Sequence, residues 1–397
     1  MPEPAQSRPN GAKSRVLILS TSAGEGHVRA GEALRKAFAA RSDCVVTHID
    51  TLDYTSKLFQ KIYDDAYIAL VRRAPSLMGL LYHRFDRPWQ HPRRRLALDR
   101  LNTGPMIRLL KRLQPDLCVA THFLPEEIIA WLRRKHKLGA RLAVVITDFD
   151  VHSMWLCHNV DRYYVPLDET GEYLSRIGIP APSIRVTGIP IDPAFSEPKD
   201  RRAIQLSHGL DPDRPTLLVS AGGHSLGPVE QLVTDLLAFE RPWQIVAIIG
   251  RAEAIRRKLE KISSRAGKFP GGCVRLHVVG YTQEMDQWMA ASDLLAGKAG
   301  GLTVSEALAS GLPMAIVGSL AGPQEERNAD ILLERGAAIR CNNLPTAGWK
   351  IAQVMDDPAR LARMRAAARA MARPRAAVEI AADCIQLLQA AGGVEKS

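Results

Sequence analysis

Residues 297–328, GKAGGLTVSEALASGLPMAIVGSLAGPQEERN, bring a glycine turn, two helix starts and a buried strand into one short block. Gly300 and Gly301 lead into Thr303 and Glu306, and glycines at a helix entry let backbone N–H groups approach an anion closely. Gln324, Glu325 and Asn328 open the next helix, where polar side chains either cap it or face the same ligand. Paired helix starts of this kind suit a phosphorylated small molecule, although two ordinary capped helices would show the same spacing. A second glycine loop, Ser220 to Ser225, follows an apolar run. Such a loop can hold a diphosphate by backbone N–H groups and hydroxyls. No Walker lysine follows, so ATP hydrolysis is not indicated.

Near the amino end, VLILS runs into TSAGEGHVRAGEALRKAF. Here a dinucleotide fingerprint fails at its third glycine, which is Arg29. Gly24, Gly26 and His27 remain at a helix start, where a neutral imidazole accepts a proton from an alcohol near pH 7. Capping or packing is the plainer role for such a histidine. Asp148 in TDFDVHSMW and His122 in THFLPEE end two further apolar runs. Three polar side chains at three strand ends converge on one crevice, which favours an active site. His152, Cys157 and His158 have no second pair of ligands to complete a metal site.

The elements that position these groups alternate. VLILS, CVVTHI, LCVA and LAVVIT are separated by helical patterns, the rhythm of βαβ units in a parallel sheet. The Pro- and Gly-rich run GIPIDPAFSEP then breaks the chain before a second cycle of TLLVS, WQIVAII, VRLHVV, DLLAG and LPMAIV. The spacing predicts two doubly wound α/β domains facing a cleft: a tail at 1–14, a first domain at 15–196, a second at 197–375 and a carboxyl-terminal helix and tail at 376–397. Length supports the same division, since 397 residues exceed one core. Pro374 separates two Ala-rich helices near the end.

Residues 53–112 interrupt the rhythm. This insertion carries Tyr54, Tyr63, Tyr67, Tyr82 and Trp89 and merges into a basic cluster that includes Arg93, Arg94 and Arg95. The chain has 53 Lys and Arg against 42 Asp and Glu, a net charge of +11. Aromatics interleaved with arginines suit an anionic bilayer surface, while charge alone does not separate lipid from nucleic acid or a solvated face. No apolar window reaches membrane-span length and the polar amino end lacks a secretory core, so a cytoplasmic, at most peripheral, protein is expected. Six scattered cysteines show neither a disulfide framework nor zinc spacing.

In this order, SAGEGHVRAGEAL, TDFDVHSMW followed by DRYYVP, GIPIDPAF, SAGGHSLG and GKAGGLTVSEALASGLP with PQEERN resemble the monogalactosyldiacylglycerol synthase and processive diacylglycerol glucosyltransferase family over residues 15–340. Asp53, Tyr63, Tyr67, Pro75 and Tyr82 match its insertion. The resemblance implies a GT-B fold and an inverting transferase that moves galactose or glucose from a UDP-sugar to diacylglycerol or a related lipid. It implies no metal or other cofactor, no nucleic acid partner, and peripheral association with the inner face of the cell membrane. Carried over by position, Glu306 would hold the ribose, while Gly300, Gly301 and Thr303 would face the phosphates. Gly223, His224 and Ser225 would lie on the diphosphate, and Gln324, Glu325 and Asn328 on the sugar. His27 would lie near the acceptor hydroxyl as base or orienter. The strand-end reading adds Asp148 as catalytic, with Gly26 and His122 on the acceptor side, and the aromatic and basic insertion puts Tyr63, Tyr67, Tyr82, Trp89, Arg93, Arg94 and Arg95 on the acceptor and membrane side. Ala299 stands where the family commonly has proline. A UDP-sugar epimerase, a transferase acting on a polyprenyl-linked acceptor and a non-catalytic lipid- or nucleotide-binding subunit remain alternatives.

Overall fold

The computed structural model describes residues 13–22, 24–41, 43–56, 82, 84, 86–89, 102–220, 222, 229–239, 241–266, 275–317 and 323–394. Six strands of the first half are β1 (Ser14–Ser20), β2 (Cys44–Asp50), β3 (Leu117–Ala120), β4 (Arg141–Val145), β5 (Arg162–Val165) and β6 (Ile184–Val186). They pair in parallel in the order β2-β1-β3-β4-β5-β6. Six more follow: β7 (Thr216–Ser220), β8 (Gln244–Ile248), β9 (Arg275–Val279), β10 (Leu294–Gly297), β11 (Met314–Val317) and β12 (Ala338–Cys341). Their order is β12-β11-β10-β7-β8-β9, again parallel. The central strands are buried on both faces because helices cover both sides. That is why they appear in the sequence as continuous apolar runs rather than as alternating ones.

Strand order fixes where a ligand fits. In the first sheet the winding reverses between β1 and β3, and in the second between β7 and β10. The crevices at the carboxyl ends of those strands are the topological switch points. Five helices matter there: α1 (Glu25–Ala39) after β1, α2 (Phe123–Arg134) after β3, α3 (Gly301–Ala309) after β10, α4 (Pro323–Glu334) after β11, and the last helix, α5 (Ala376–Val394). Ala30, Ala33, Leu34 and Phe38 place the buried stripe of α1 at helical spacing.

The halves share a core. Ala30, Phe149, Leu167 and Ile189 of the first half lie in one buried apolar cluster with Leu302, Val304, Ala307 and Leu308 of the second. The chain then crosses back: Ala377, Ile380, Ala381, Cys384 and Ile385 of α5 pack with Val16, Ile18, Leu34 and Phe38. Asp383 on this helix accepts hydrogen bonds from Arg162, Tyr164 and Arg185. The carboxyl-terminal helix is therefore part of the first domain's core, not an appendage to the second. Among the described residues no helix is long and apolar enough to cross a membrane.

Candidate active site

His27 sits in the first turn of α1, beyond the extended Gly24. Its Nδ1 lies 2.9 Å from the Thr121 carbonyl oxygen and 2.8 Å from Thr147 Oγ1. A carbonyl oxygen only accepts, so this hydrogen-bond pattern puts the ring proton on Nδ1 and leaves the lone pair on Nε2. Thr121 Oγ1 donates to the His27 carbonyl at 3.0 Å, tying the same two segments together a second time. The imidazole stands edge-on to His122, with ring centroids 4.7 Å apart, and tilted to Trp155 at 6.2 Å. Burial in this surrounding lowers its pKa from 6.5 to about 4, with the Thr121 carbonyl opposing part of the shift. At neutral pH the ring is therefore uncharged.

The other two strand-end residues hold different positions. His122 is 2% exposed and its Nδ1 accepts the Leu124 amide at 3.1 Å, so it caps α2 and supports the ring of His27 instead of facing an acceptor. Asp148 is the neighbour of Thr147, and it is Thr147, not Asp148, that touches the His27 ring. Burial pushes the Asp148 carboxyl up to about 7, with the nearby Glu325 and Asp150 adding to the shift and Asn328 opposing it.

The opposite wall comes from α3 and α4. A Cβ at Gly300 would meet nothing within 4 Å, so this helix start opens on free space. One turn on, Glu306 is 2% exposed, and burial raises its pKa to about 7. Its Oε1 pairs with Arg29 Nη2 of α1 at 2.5 Å, and among the described residues its buried Oε2 has no hydrogen-bond partner. Lys298, before the turn, pairs with Glu325 at 2.8 Å and lies beside Gly222 of the other glycine loop. Thr303 and Gln324 are half-buried on the same wall. Gly223, His224 and Ser225 lie outside the described residues, as do Tyr63, Tyr67, Arg93, Arg94 and Arg95.

Two members of the 297–328 block serve the junction between domains. A Cβ on Gly301 would stand 2.0 Å from the Thr147 carbonyl oxygen and 3.3 Å from Asp148 Cα. Glycine is required there by the close approach of the domains, where the sequence suggested a phosphate contact. Asn328 is fully buried: its Oδ1 accepts the Phe149 amide at 2.8 Å, and its Nδ2 donates to the Ala299 carbonyl at 3.0 Å and towards Asp148 at 3.4 Å. Each polar atom is engaged across the junction, so the side chain is a clamp rather than a ligand for a sugar. Gly26 packs at the same seam, where its Cβ would lie 3.6 Å from Leu302 Cβ.

The insertion joins this seam too. Arg327 of α4 reaches Asp86 at 2.6 Å and Asp150 at 3.0 Å, and its guanidinium lies over the Tyr82 ring at 5.3 Å. Tyr82 packs in turn on His152, and Asp86 accepts from the Ser153 amide and hydroxyl. Trp89 stacks on His158 and donates to the Ile177 carbonyl at 3.0 Å. These two aromatics anchor the described part of the insertion to the fold. Arg327→Ala leaves Asp86 and Asp150 without this partner. It is expected to cost roughly 1–2 kcal/mol in chemical denaturation, between the values for exposed and buried pairs, with Arg327→Lys recovering part. An unchanged unfolding curve would show that the pairs contribute nothing.

Residues 27–191 match the family model for monogalactosyldiacylglycerol synthase, and residues 216–384 match the glycosyltransferase family 28 carboxyl-terminal domain. The chain is a glycosyltransferase that joins a monogalactosyldiacylglycerol synthase domain to a glycosyltransferase family 28 carboxyl-terminal domain. Over 352 residues the transferase is 28% identical to the processive diacylglycerol beta-glucosyltransferase of Bacillus subtilis, covering 88% of this chain and 89% of the relative. Its fold is shared with MurG of Acinetobacter baumannii, with a TM-score of 0.63 at 19% identity over 94% of this chain and 99% of the other. Anabaena HepE in complex with UDP-glucose superposes with a TM-score of 0.53 at 14% identity, over 94% and 99% of the two chains. The fold of the transferase is GT-B.

Arg29, Thr121, Thr147, Lys298 and Arg327 were not singled out by sequence reasoning as site residues. Only Arg29 had left a signal, as the residue that breaks the dinucleotide fingerprint.

Proposed function

We propose that the transferase moves a hexose, galactose or glucose, from a UDP-sugar to diacylglycerol or a related lipid, with inversion at the anomeric carbon and without a metal. It would work as a peripheral protein on the inner, anionic face of the cell membrane. The observation that carries this reading is the meeting of α1 and α3 at one crevice. A neutral His27, its Nε2 left unprotonated, stands across the seam from the open helix start at Gly300 and from Glu306, whose buried Oε2 suits a ribose hydroxyl. The acceptor hydroxyl gives its proton to Nε2 while its oxygen bonds to the anomeric carbon. The bond from that carbon to UDP breaks on the opposite face. Negative charge then gathers on the departing diphosphate, where the N–H groups of the α3 start and the Lys298 ammonium stabilise it. The named activity of the Bacillus relative supports the lipid acceptor, and the UDP-glucose held by the Anabaena protein supports the donor.

The test is incubation of the purified protein with UDP-galactose or UDP-glucose and diacylglycerol in anionic vesicles. A glycolipid and UDP in equal amounts are expected from one donor. Absence of both with either donor would refute the reading, and an isomerised UDP-sugar without lipid product would identify an epimerase. Changing Arg93, Arg94 and Arg95 together to serine should weaken vesicle binding at low salt, and unchanged binding would assign them to a solvated face.

A further inference from the structure

The Arg29–Glu306 pair is placed unusually for two residues from different domains. Glu306 is 2% exposed, whereas Arg29 is 43% exposed, lies over the Phe195 ring at 5.8 Å, and sends one nitrogen inward to a single carboxylate oxygen. Two other carboxylates, Asp192 and Asp286, act on Glu306 to favour its protonated form. Each has its own lysine, Lys36 at 2.5 Å and Lys199 at 3.1 Å, so those cations are committed elsewhere. Among the described residues Arg29 is the cation that pairs with Glu306, and Oε2 stays buried without a hydrogen-bond partner. A buried acceptor left open costs free energy unless something arrives to fill it.

We infer that Arg29 is a positioning residue for the donor: from the acceptor domain, it holds the Glu306 carboxyl turned so that Oε2 meets the ribose hydroxyls of the UDP-sugar. This inference rests on the proposed UDP-sugar reading and adds a residue of the acceptor domain to the nucleotide site. Its consequence is coupling. Donor binding draws on a contact that exists only when the two domains are closed on each other, so the nucleotide stabilises the arrangement that brings His27 to the anomeric carbon.

The decisive measurement is calorimetric binding of UDP and of 2′,3′-dideoxy-UDP to the full chain and to Arg29→Ala, Arg29→Lys, Glu306→Gln and the Arg29→Ala/Glu306→Gln double variant. Arg29→Ala is expected to weaken UDP about tenfold or more, as for loss of a hydrogen bond to a charged group, and to bind the dideoxy nucleotide as the parent does. Arg29→Lys should recover part of the loss, and Arg29→Ala should add nothing in the Glu306→Gln background. Equal weakening of both nucleotides, or a full effect of Arg29→Ala beside Glu306→Gln, would overturn the inference by showing that Arg29 acts elsewhere. Tighter UDP binding by Arg29→Ala would overturn it by making Arg29 a competitor for Glu306. Failure of the parent protein to bind UDP would instead refute the nucleotide reading, and this inference with it.

Discussion

His27→Ala is expected to lower kcat/KM about 10³-fold, within the range for loss of a positioned general base, and to leave UDP affinity within about twofold of the parent value. The expectation follows from the placement of the ring. Its Nδ1 is occupied by Thr121 and Thr147, so Nε2 is the atom with work to do, and the UDP-facing residues lie on the other domain. Steady-state kinetics with UDP release, beside calorimetric UDP binding, separates the two effects. Near-normal turnover would remove His27 from the chemistry, and a parallel loss of UDP affinity would make it a donor contact. The pH profile supplies an independent check. A base works in its unprotonated form, and burial lowers this imidazole from 6.5 to about 4, so the limb that it controls in kcat/KM falls near pH 4 and not near 6.5. The same shift affects stability. Between pH 6.5 and about 4 the unfolded chain takes up a proton at this ring that the folded chain refuses, so folding free energy weakens as pH falls through that window. It is unaffected by this group above it, and His27→Ala should remove that part of the slope.

Much of this arrangement is legible in the sequence, for a physical reason that differs from element to element. Central strands such as Val16 to Leu19 and Leu142 to Val145 are buried on both faces, so they stand out as apolar runs and mark two parallel sheets. The edge strands β6 and β12 are short and only partly buried, so no continuous apolar run marks them. His27 and Glu306 are visible because each follows a glycine turn at a helix start. Their partners are not, since Thr121 and Thr147 approach His27 from 94 and 120 positions away along the chain. The junction is harder still. Gly301 and Asn328 belong to motifs that would serve a phosphate or a sugar equally well, and only the approach of the first domain assigns them to the seam. Arg29 looked like a defect in a fingerprint because its purpose lies on another domain.

Gly301→Ala tests that seam more severely than any charge change, and its expected effects separate the two possible roles of the glycine. An added Cβ would fall 2.0 Å from the Thr147 carbonyl oxygen, and neither the backbone of Thr147 nor the first turn of α3 has a flexible end to move aside. The domains must part by an ångström or more, which places the strain on the shared core around Ala30, Phe149, Leu302 and Val304. Overpacking of this kind costs about 1–3 kcal/mol, so the variant should melt several degrees below the parent protein. Turnover suffers more, because Thr147 also orients His27. A misplacement near 1 Å between base and donor is expected to reduce kcat about 10²-fold. UDP affinity supplies the discrimination. The diphosphate wall belongs to the second domain and stays whole, so UDP should lose no more than Arg29→Ala loses, the share that depends on closure. If Gly301 instead served the phosphates directly, Gly301→Ala would weaken UDP well beyond Arg29→Ala while leaving the melting temperature unchanged. That outcome would return the 297–328 block to a purely nucleotide-binding role and dissolve the link between closure and catalysis.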